Sequence, residues 1–281
     1  MSAMDLNAVA SDPDKAKMHS QLLAFEDTEF LESDEMRPLR LALEFSKAYL
    51  ALTEKDIAST VVVFGGHLIV SPEEAEAAMA RAPDAESRAC AERQRELSPW
   101  YAEARSFSRI VSERGGALTK EGPRRNVIVT GGGPGIMEAA NRGAADAGAP
   151  SIGFNIVLPE EQLPNAYITP DLTFCFRYFA IRKMHFAMRA SALAIFPGGL
   201  GTMDELFEIL TLMQTRKAAR LPVVLFSRHY WRTVINFGAL VEFGTIKAED
   251  AALFEIVDTA EEAWEALFRR GLVAEPPLKE P

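Results

Sequence analysis

The chain has 281 residues, of which 48% are hydrophobic, so it is long enough for one large α/β domain with a substantial core. No apolar run approaches the roughly 18 residues that a membrane-spanning helix needs, and the acidic N-terminus does not resemble a secretory signal. Cys90 and Cys175 are the only cysteines and do not make a disulfide scaffold. We therefore expect a cytoplasmic protein without membrane contact.

The net charge of −10 is unevenly distributed along the chain. Residues 1–35 carry nine acidic side chains and two lysines, so the rest of the chain is close to neutral. This composition predicts an acidic, flexible N-terminal tail over 1–35. Since no basic track is present, we do not expect a nucleic-acid partner.

The first half of the chain predicts a strand that is followed by inserted helices. A helical pattern covers residues 38–52, and the β-branched run Thr60–Phe64 is typical of a buried parallel strand. Two charged, alanine-rich helices follow within residues 67–97, which we interpret as an insertion. A further helix begins near Pro99.

Strands and helices alternate in the rest of the chain, which predicts an α/β fold with a doubly wound parallel sheet and helices on both faces. About seven strands are expected in a single domain over residues 36–275, and residues 276–281 are expected to be a frayed tail. The predicted strands after the first one lie at 126–130, 152–157, 172–176, 193–196, 222–226 and 253–257.

Two glycine-rich turns follow predicted strands, at Gly131–Gly135 and at Pro197–Gly201. The first does not fit a dinucleotide fingerprint, because Ile136 stands where the third glycine should be, and no lysine follows it as in a P-loop. A tight strand-to-helix turn remains an alternative explanation. Because parallel strands end at the same edge of a sheet, both turns are expected to border one ligand pocket.

The second turn predicts a phosphate site at the start of a helix. Its glycines let backbone N–H groups approach an anion, and a helix N-terminus offers unpaired donors. Glu205 lies one turn into that helix, which points to an enzyme acting on a phosphorylated small molecule. The alternative is a capping box between Thr202 and Glu205, which would have only a structural role.

Arg182 and Lys183 lie on a predicted helix between two strands. A solvated basic face is one explanation for this pair, and a position near the glycine turns is the other. His185, on the same helix, is expected to be a packed or surface histidine rather than a metal ligand.

Three stretches carry a resemblance to a known family: Arg182-Lys183, the Pro-Gly-Gly-x-Gly-Thr-x-x-Glu motif that ends at Glu205, and residues 131–141. Together with Asn155–Pro159, they resemble the LOG family of cytokinin riboside 5′-monophosphate phosphoribohydrolases, long mislabelled as lysine decarboxylases. The resemblance covers roughly residues 59–260. It implies a Rossmann-like fold and a homodimer or larger homo-oligomer.

The resemblance also implies the reaction and its residues. The reaction is hydrolysis of the N-glycosidic bond of a nucleoside 5′-monophosphate, either AMP or an N6-modified AMP, to the free base and ribose 5-phosphate. No metal or organic cofactor is implied. The catalytic pair would be Arg182 and Glu205, and the substrate-binding residues would be Lys183, Gly198, Gly199, Gly201, Thr202, Gly132, Gly133, Met137 and Glu161.

Two features of this chain depart from the family pattern. Many members carry a Gly-Ser-x-Arg-like turn after the first strand, whereas this chain has Gly65-Gly66-His67. The short members also have no counterpart of the insertion at 67–97. These departures leave open a second hypothesis, in which the protein is a non-catalytic nucleotide sensor or carrier.

Overall fold

The computed structural model describes residues 21–159 and 163–274. Most of the predicted acidic tail, at residues 1–20, lies outside this range, as do residues 276–281 and Glu161. The chain divides into two compact units, Met1–Glu44 and Phe45–Pro281. The predicted domain limits of 36 and 275 stay a prediction.

The described part of the first unit is stabilised by local hydrogen bonds. Helix α1 (Thr28–Glu32) begins after Asp27, whose carboxylate accepts a hydrogen bond from the Phe30 N–H at 3.0 Å. The Arg40 guanidinium donates to the carbonyl oxygens of Leu31 and Ser33, at 2.5 and 2.6 Å. Helix α2 (Arg37–Glu54) begins in this unit and continues into the next one.

The second unit contains a parallel sheet of seven strands, as the sequence predicts. The strands are β1 (Thr60–Phe64), β2 (Val127–Thr130), β3 (Ser151–Ile156), β4 (Thr173–Phe176), β5 (Ala190–Ile195), β6 (Val223–Phe226) and β7 (Glu255–Val257). Their order across the sheet is β4-β3-β2-β1-β5-β6-β7. The chain builds outward from β1 to β4 and then returns to the other side of β1, so the topological switch point lies between β1 and β5.

Helices connect the strands and cover both faces of the sheet. They are α3 (Pro72–Arg81), α4 (Ala85–Leu97), α5 (Pro99–Arg114), α6 (Ile136–Asp146), α7 (Phe179–Met188), α8 (Leu200–Gln214), α9 (Arg228–Val234), α10 (Phe237–Glu242), α11 (Ala248–Ala251) and α12 (Ala260–Arg269). The predicted insertion contains α3 and α4. In the described part of the chain, every helix falls short of the length and apolar character that crossing a bilayer requires.

Strand β5 begins three residues earlier than the sequence pattern predicts. Ala190 pairs with Thr60, and the register then shifts so that Ala192 pairs with Val61. Because alanine is a good helix former, the sequence predicts that the preceding helix extends over Ala190. Pairing with the central strand β1 overrides this local preference.

Successive side chains of each strand point to opposite faces of the sheet, so each face has its own set of core residues. On one face, Phe226 stacks on Phe196 at 3.9 Å between ring centroids, and α5 contributes Phe107 to the same cluster. On the other face, Phe186 of α7 packs edge-on against Phe64 at 4.8 Å. Helix α7 is therefore fixed directly beneath the carboxyl edge of β1.

Candidate active site

A cavity of about 760 Å³ opens at the carboxyl edge of the sheet, beside the switch point between β1 and β5. Its wall includes the three loops that follow β1, β2 and β5, together with side chains from α7, α8 and α9. This is where ligands bind in doubly wound sheets. Gly131 of the first glycine turn and residues 197–201 of the second line this cavity, and binding of a ligand there stays a prediction.

The loop after β1 lies between the two glycine turns and bonds to each of them. The Gly66 N–H donates to the Pro197 carbonyl at 2.9 Å, and the Ile136 N–H donates to the Gly66 carbonyl at 3.2 Å. A Cβ atom on Gly135 would stand 2.5 Å from that same carbonyl oxygen. The three loops therefore form one connected floor.

Helix α8 presents unpaired backbone donors to the cavity. Its first intrahelical bond runs from the Met203 N–H to the Gly199 carbonyl at 3.1 Å, so the preceding N–H groups of Leu200, Gly201 and Thr202 have no acceptor within the helix. Within the part of the chain that the structure describes, a Cβ atom on Gly199 or Gly201 would meet no atom within 4 Å. The helix start thus faces open space, as an anion site requires.

The capping-box explanation of Thr202 and Glu205 is wrong. Gly199 is the N-cap of α8, and no side chain of the described residues bonds to it as a cap. Because the helix begins at Leu200, Thr202 is already the third helical residue, and its hydroxyl lies against Gly198 instead. The Glu205 carboxylate is therefore free of a capping role.

Arg182 and Glu205 meet in the wall of the cavity. The guanidinium Nη2 lies 3.7 Å from the carboxylate Oε1, and the two side chains are only 14% and 6% exposed. The guanidinium also lies over the rings of Phe179 and Phe186, at 5.2 and 5.7 Å from their centroids. Among the described residues, its buried Nε has no hydrogen-bond partner.

Burial dominates the electrostatics of this pair. It raises the pKa of Glu205 to about 7, although the nearby charges of Arg182 and Lys183 act in the opposite direction. Burial also lowers the pKa of Arg182 from its usual value, an effect that the attraction of Glu205 offsets in part. A carboxyl group that titrates near neutral pH inside a cleft is typical of a functional site.

Lys183 contacts α8 rather than the cavity wall. Its ammonium lies 2.7 Å from the Asp204 carboxylate and 2.9 Å from that of Glu208. These two contacts link α7 to α8 on either side of Glu205 in the sequence. The substrate-binding role of Lys183 stays a prediction.

The other predicted binding residues lie in different places. Gly198, Gly199, Gly201, Thr202 and Met137 all line the cavity. Gly132 and Gly133 stand behind its wall, where their carbonyl oxygens accept bonds from the Asn165 amide at 3.2 and 3.0 Å. Gly132 has a φ of +75°, and a Cβ atom there would stand 2.1 Å from the Asn155 side chain.

The structure adds cavity residues that the sequence interpretation missed. Tyr230 of α9 lines the cavity, and its hydroxyl donates a 2.5 Å hydrogen bond to the Gly198 carbonyl. Asn155, at the end of β3, is 6% exposed, and its Oδ1 has no partner among the described residues. Each follows or ends a predicted parallel strand, so position at the sheet edge is the signal that could have found them.

Apolar side chains surround the mouth of the cavity. Leu68, Leu158, Phe179 and Leu200 line it and are 66%, 40%, 50% and 89% exposed. The polar groups, Arg182 among them, are more deeply buried. The cavity therefore has buried polar groups in its interior, beside buried apolar ones such as Phe64 and Ile69, and an apolar rim.

Comparison with known proteins gives one family match, over part of this chain. Residues 137–267 match the family model described as "Possible lysine decarboxylase". The matched segment includes Arg182, Lys183 and the whole turn from Pro197 to Glu205. No curated protein matches the chain.

Several solved structures are similar to this chain at low identity. The molybdenum cofactor binding protein from Rippkaea orientalis is 15% identical, with a TM-score of 0.45, and covers 75% of this chain and 96% of its own. A protein titled TM1055 is 19% identical, with a TM-score of 0.45 and coverages of 75% and 99%. The Moco carrier protein from Chlamydomonas reinhardtii is 19% identical, with a TM-score of 0.43 and coverages of 75% and 96%.

The family match includes Arg182 and the motif that ends at Glu205, and these residues lie around one cavity at the switch point of the sheet. Over residues 137–267, which are less than half of the chain, the sequence is therefore similar to the family described as "Possible lysine decarboxylase", the LOG family that the motifs resemble.

Proposed function

We propose that this protein hydrolyses the N-glycosidic bond of a nucleoside 5′-monophosphate, releasing the free base and ribose 5-phosphate. The observation that carries the proposal is the meeting of Arg182 and Glu205, at 3.7 Å, beside the exposed start of α8. A phosphate at that helix start would place the attached ribose next to the carboxylate.

The phosphate is held by backbone donors rather than by a lysine. The N–H groups of Leu200, Gly201 and Thr202 have no acceptor within α8, and the space beyond Gly199 and Gly201 is open. Helix N-termini favour anions because their free N–H groups and the helix dipole act together. This anchor fixes the ribose relative to the reacting groups, which converts binding energy into orientation.

Glu205 supplies the negative charge that the reaction needs. As the bond between the anomeric carbon and the base nitrogen breaks, positive charge develops on the ribose, as in O-glycoside hydrolysis. The ionised carboxylate stabilises that charge and accepts a proton from the attacking water, whose oxygen bonds to the anomeric carbon. Arg182 orients the substrate or assists departure of the base. The departing base finally takes up the proton that Glu205 accepted from the water.

The apolar rim supports a substrate with an apolar group on its base. Leu68, Leu158 and Phe179 border the mouth and are exposed, and the exposed side chain of Leu200 lies at the start of α8. An N6-modified AMP would extend its substituent toward these side chains, whereas AMP would leave them in water. We therefore include N6-alkylated AMP beside AMP as candidate substrates.

Self-association and a cytoplasmic location are part of the proposal. Within the second unit, α2 exposes Tyr49 and Leu50, which are 40% and 62% exposed, and α8 exposes Phe207 at 39%. Apolar side chains of this kind favour a homodimer or larger homo-oligomer. Analytical ultracentrifugation of the full chain gives the number of subunits directly.

Incubation of the purified protein with AMP tests the proposed reaction. The expected products are equal amounts of adenine and ribose 5-phosphate, resolved by chromatography, while adenosine without its phosphate should react far more slowly. Parallel reactions with N6-alkylated AMP identify the preferred base. If AMP binds but no base is released, the chain is instead a nucleotide sensor or carrier, the alternative that the Gly65-Gly66-His67 turn leaves open.

A further inference from the structure

We propose that Tyr230 is a positioning residue that fixes the glycine turn of α8 in its phosphate-binding conformation. This inference rests on the proposed phosphate site and assigns a role to a residue outside the family motifs quoted above. Tyr230 lines the cavity, and its hydroxyl donates a hydrogen bond to the Gly198 carbonyl at 2.5 Å.

The bond from Tyr230 determines where the next backbone donor points. The Gly198 carbonyl and the Gly199 N–H belong to one planar, trans peptide unit, so they point in opposite directions. By holding the carbonyl oxygen on its own side, Tyr230 directs the Gly199 N–H the other way. Gly199 is the N-cap of α8, so its donor joins the free N–H groups at the helix start.

The residue that carries this carbonyl is closely packed. A Cβ atom on Gly198 would stand 2.2 Å from the Thr202 hydroxyl and 2.9 Å from the Gly66 nitrogen, so only glycine fits there. Flanking Gly198, the Pro197 carbonyl accepts a bond from the Gly66 N–H. On the Gly198 carbonyl itself, Tyr230 supplies the hydrogen bond.

Tyr230 is itself held firmly at the start of α9. Ser227 has a φ of +82°, unusual for a residue other than glycine, and its hydroxyl accepts a bond from the Tyr230 N–H at 3.1 Å. The Ser227 N–H donates to the Val257 carbonyl of β7 at 2.8 Å. A backbone conformation of this kind persists only where its surroundings fix it, and here it aims the tyrosine at the turn.

Tyr230→Phe removes the hydroxyl and keeps the ring in the wall of the cavity. Loss of one hydrogen bond of this kind corresponds to about 1 kcal/mol, so the affinity for AMP should fall roughly fivefold. Adenosine lacks the phosphate and should bind both proteins equally. Tyr101→Phe is the matched control, because the Tyr101 hydroxyl donates a 2.7 Å bond to Glu138 outside the cavity wall.

Calorimetric titration of AMP and adenosine into the three proteins measures the effect, and hydrogen exchange of residues 197–203 measures the turn itself. We expect faster exchange in Tyr230→Phe and unchanged exchange in Tyr101→Phe. The inference is overturned by unchanged AMP affinity, by equal loss of AMP and adenosine affinity, or by unchanged exchange of the turn.

The outcomes separate this inference from the proposed function. If the wild-type protein binds AMP without releasing adenine, the proposed reaction is wrong, and the comparison of AMP with adenosine still decides the role of Tyr230. If adenine is released at equal rates and equal KM by the wild-type and Tyr230→Phe proteins, the reaction stands and the inference is wrong. If the wild-type protein binds neither ligand, both fail.

Discussion

The guanidinium of Arg182 and the carboxylate of Glu205 face each other at 3.7 Å, although they lie on different helices and 23 positions apart in the chain. This distance is longer than that of a good hydrogen bond. The arginine therefore offsets only part of the free-energy cost of burying the ionised carboxylate. Burial prevails, and the pKa of Glu205 rises to about 7. The site thus holds a carboxyl group that is ready to lose its proton near neutral pH.

The first prediction concerns the catalytic role of Glu205. Glu205→Gln keeps the shape of the side chain but removes the negative charge, so the rate of adenine release from AMP should fall at least about 100-fold. The measurement is the initial rate of base release at pH 8, where the wild-type carboxyl group is ionised. Glu261→Gln, at an exposed position of α12, removes a carboxylate that pairs with Arg114 and should keep the wild-type rate. A near-normal rate in Glu205→Gln would remove Glu205 from the mechanism.

A second prediction follows from the raised pKa of Glu205. The folded protein retains this proton to about pH 7, whereas the unfolded chain releases it near 4.5. Folded molecules therefore bind more protons in that window, and the contribution of Glu205 to the free energy of unfolding falls as pH rises through it. At about 1.4 kcal/mol per pKa unit, the full loss is roughly 3 kcal/mol.

Glu205→Gln isolates this effect, because glutamine resembles the protonated acid. Its free energy of unfolding should exceed that of the wild type by up to roughly 3 kcal/mol at pH 8, and the difference should vanish near pH 4.5. The attraction of Arg182 is already contained in the raised pKa, so it needs no separate correction. Urea unfolding of both proteins between pH 4.5 and 8 gives the difference, and a difference independent of pH would contradict the raised pKa.

The third prediction concerns the coupling between the two residues. Arg182→Gln removes the cation that lowers the pKa of Glu205, so that pKa should rise further and activity should be lost at pH 7. Unfolding of Arg182→Gln, with and without Glu205→Gln, measures the new pKa from the pH dependence of their difference. Arg109→Gln, an exposed arginine paired with Glu113, should leave the pKa of Glu205 in place.

The sheet could be predicted from the sequence because its signals are local. Thr60–Phe64 is a β-branched run of the kind that central parallel strands require, and strand β1 has the same bounds in the structure. The start of β5 was missed because Ala190 and Ala192 favour a helix locally, while pairing with β1 determines their conformation. Such long-range pairing leaves no local pattern in the chain.

The site was predictable only where its residues form a motif. Arg182 and the turn ending at Glu205 carry recognisable spacings, and the sheet brings both to one cavity. Tyr230 has no motif around it, since its role comes from a bond to Gly198, which lies 32 residues earlier. The contacts of Lys183 with Asp204 and Glu208 also depend on how two helices pack, which spacing alone does not determine.

The last prediction separates ligand space from helix stability. Gly201 is the second residue of α8, its φ is not positive, and a Cβ atom there would meet no atom of the described residues within 4 Å. Gly201→Ala should therefore raise the free energy of unfolding by about 0.5–1 kcal/mol, since alanine restricts the unfolded chain and favours the helix. If the open space is the phosphate site, the added methyl group should weaken AMP binding at least about tenfold.

Gly238→Ala is the matched control, because Gly238 is the second residue of α10 and lies outside the cavity wall. It should gain similar stability and bind AMP like the wild type. Calorimetry measures both affinities. Equal AMP affinity in Gly201→Ala and Gly238→Ala would show that the phosphate binds elsewhere, because a phosphate bound at the start of α8 would collide with the added methyl group in the Gly201→Ala protein.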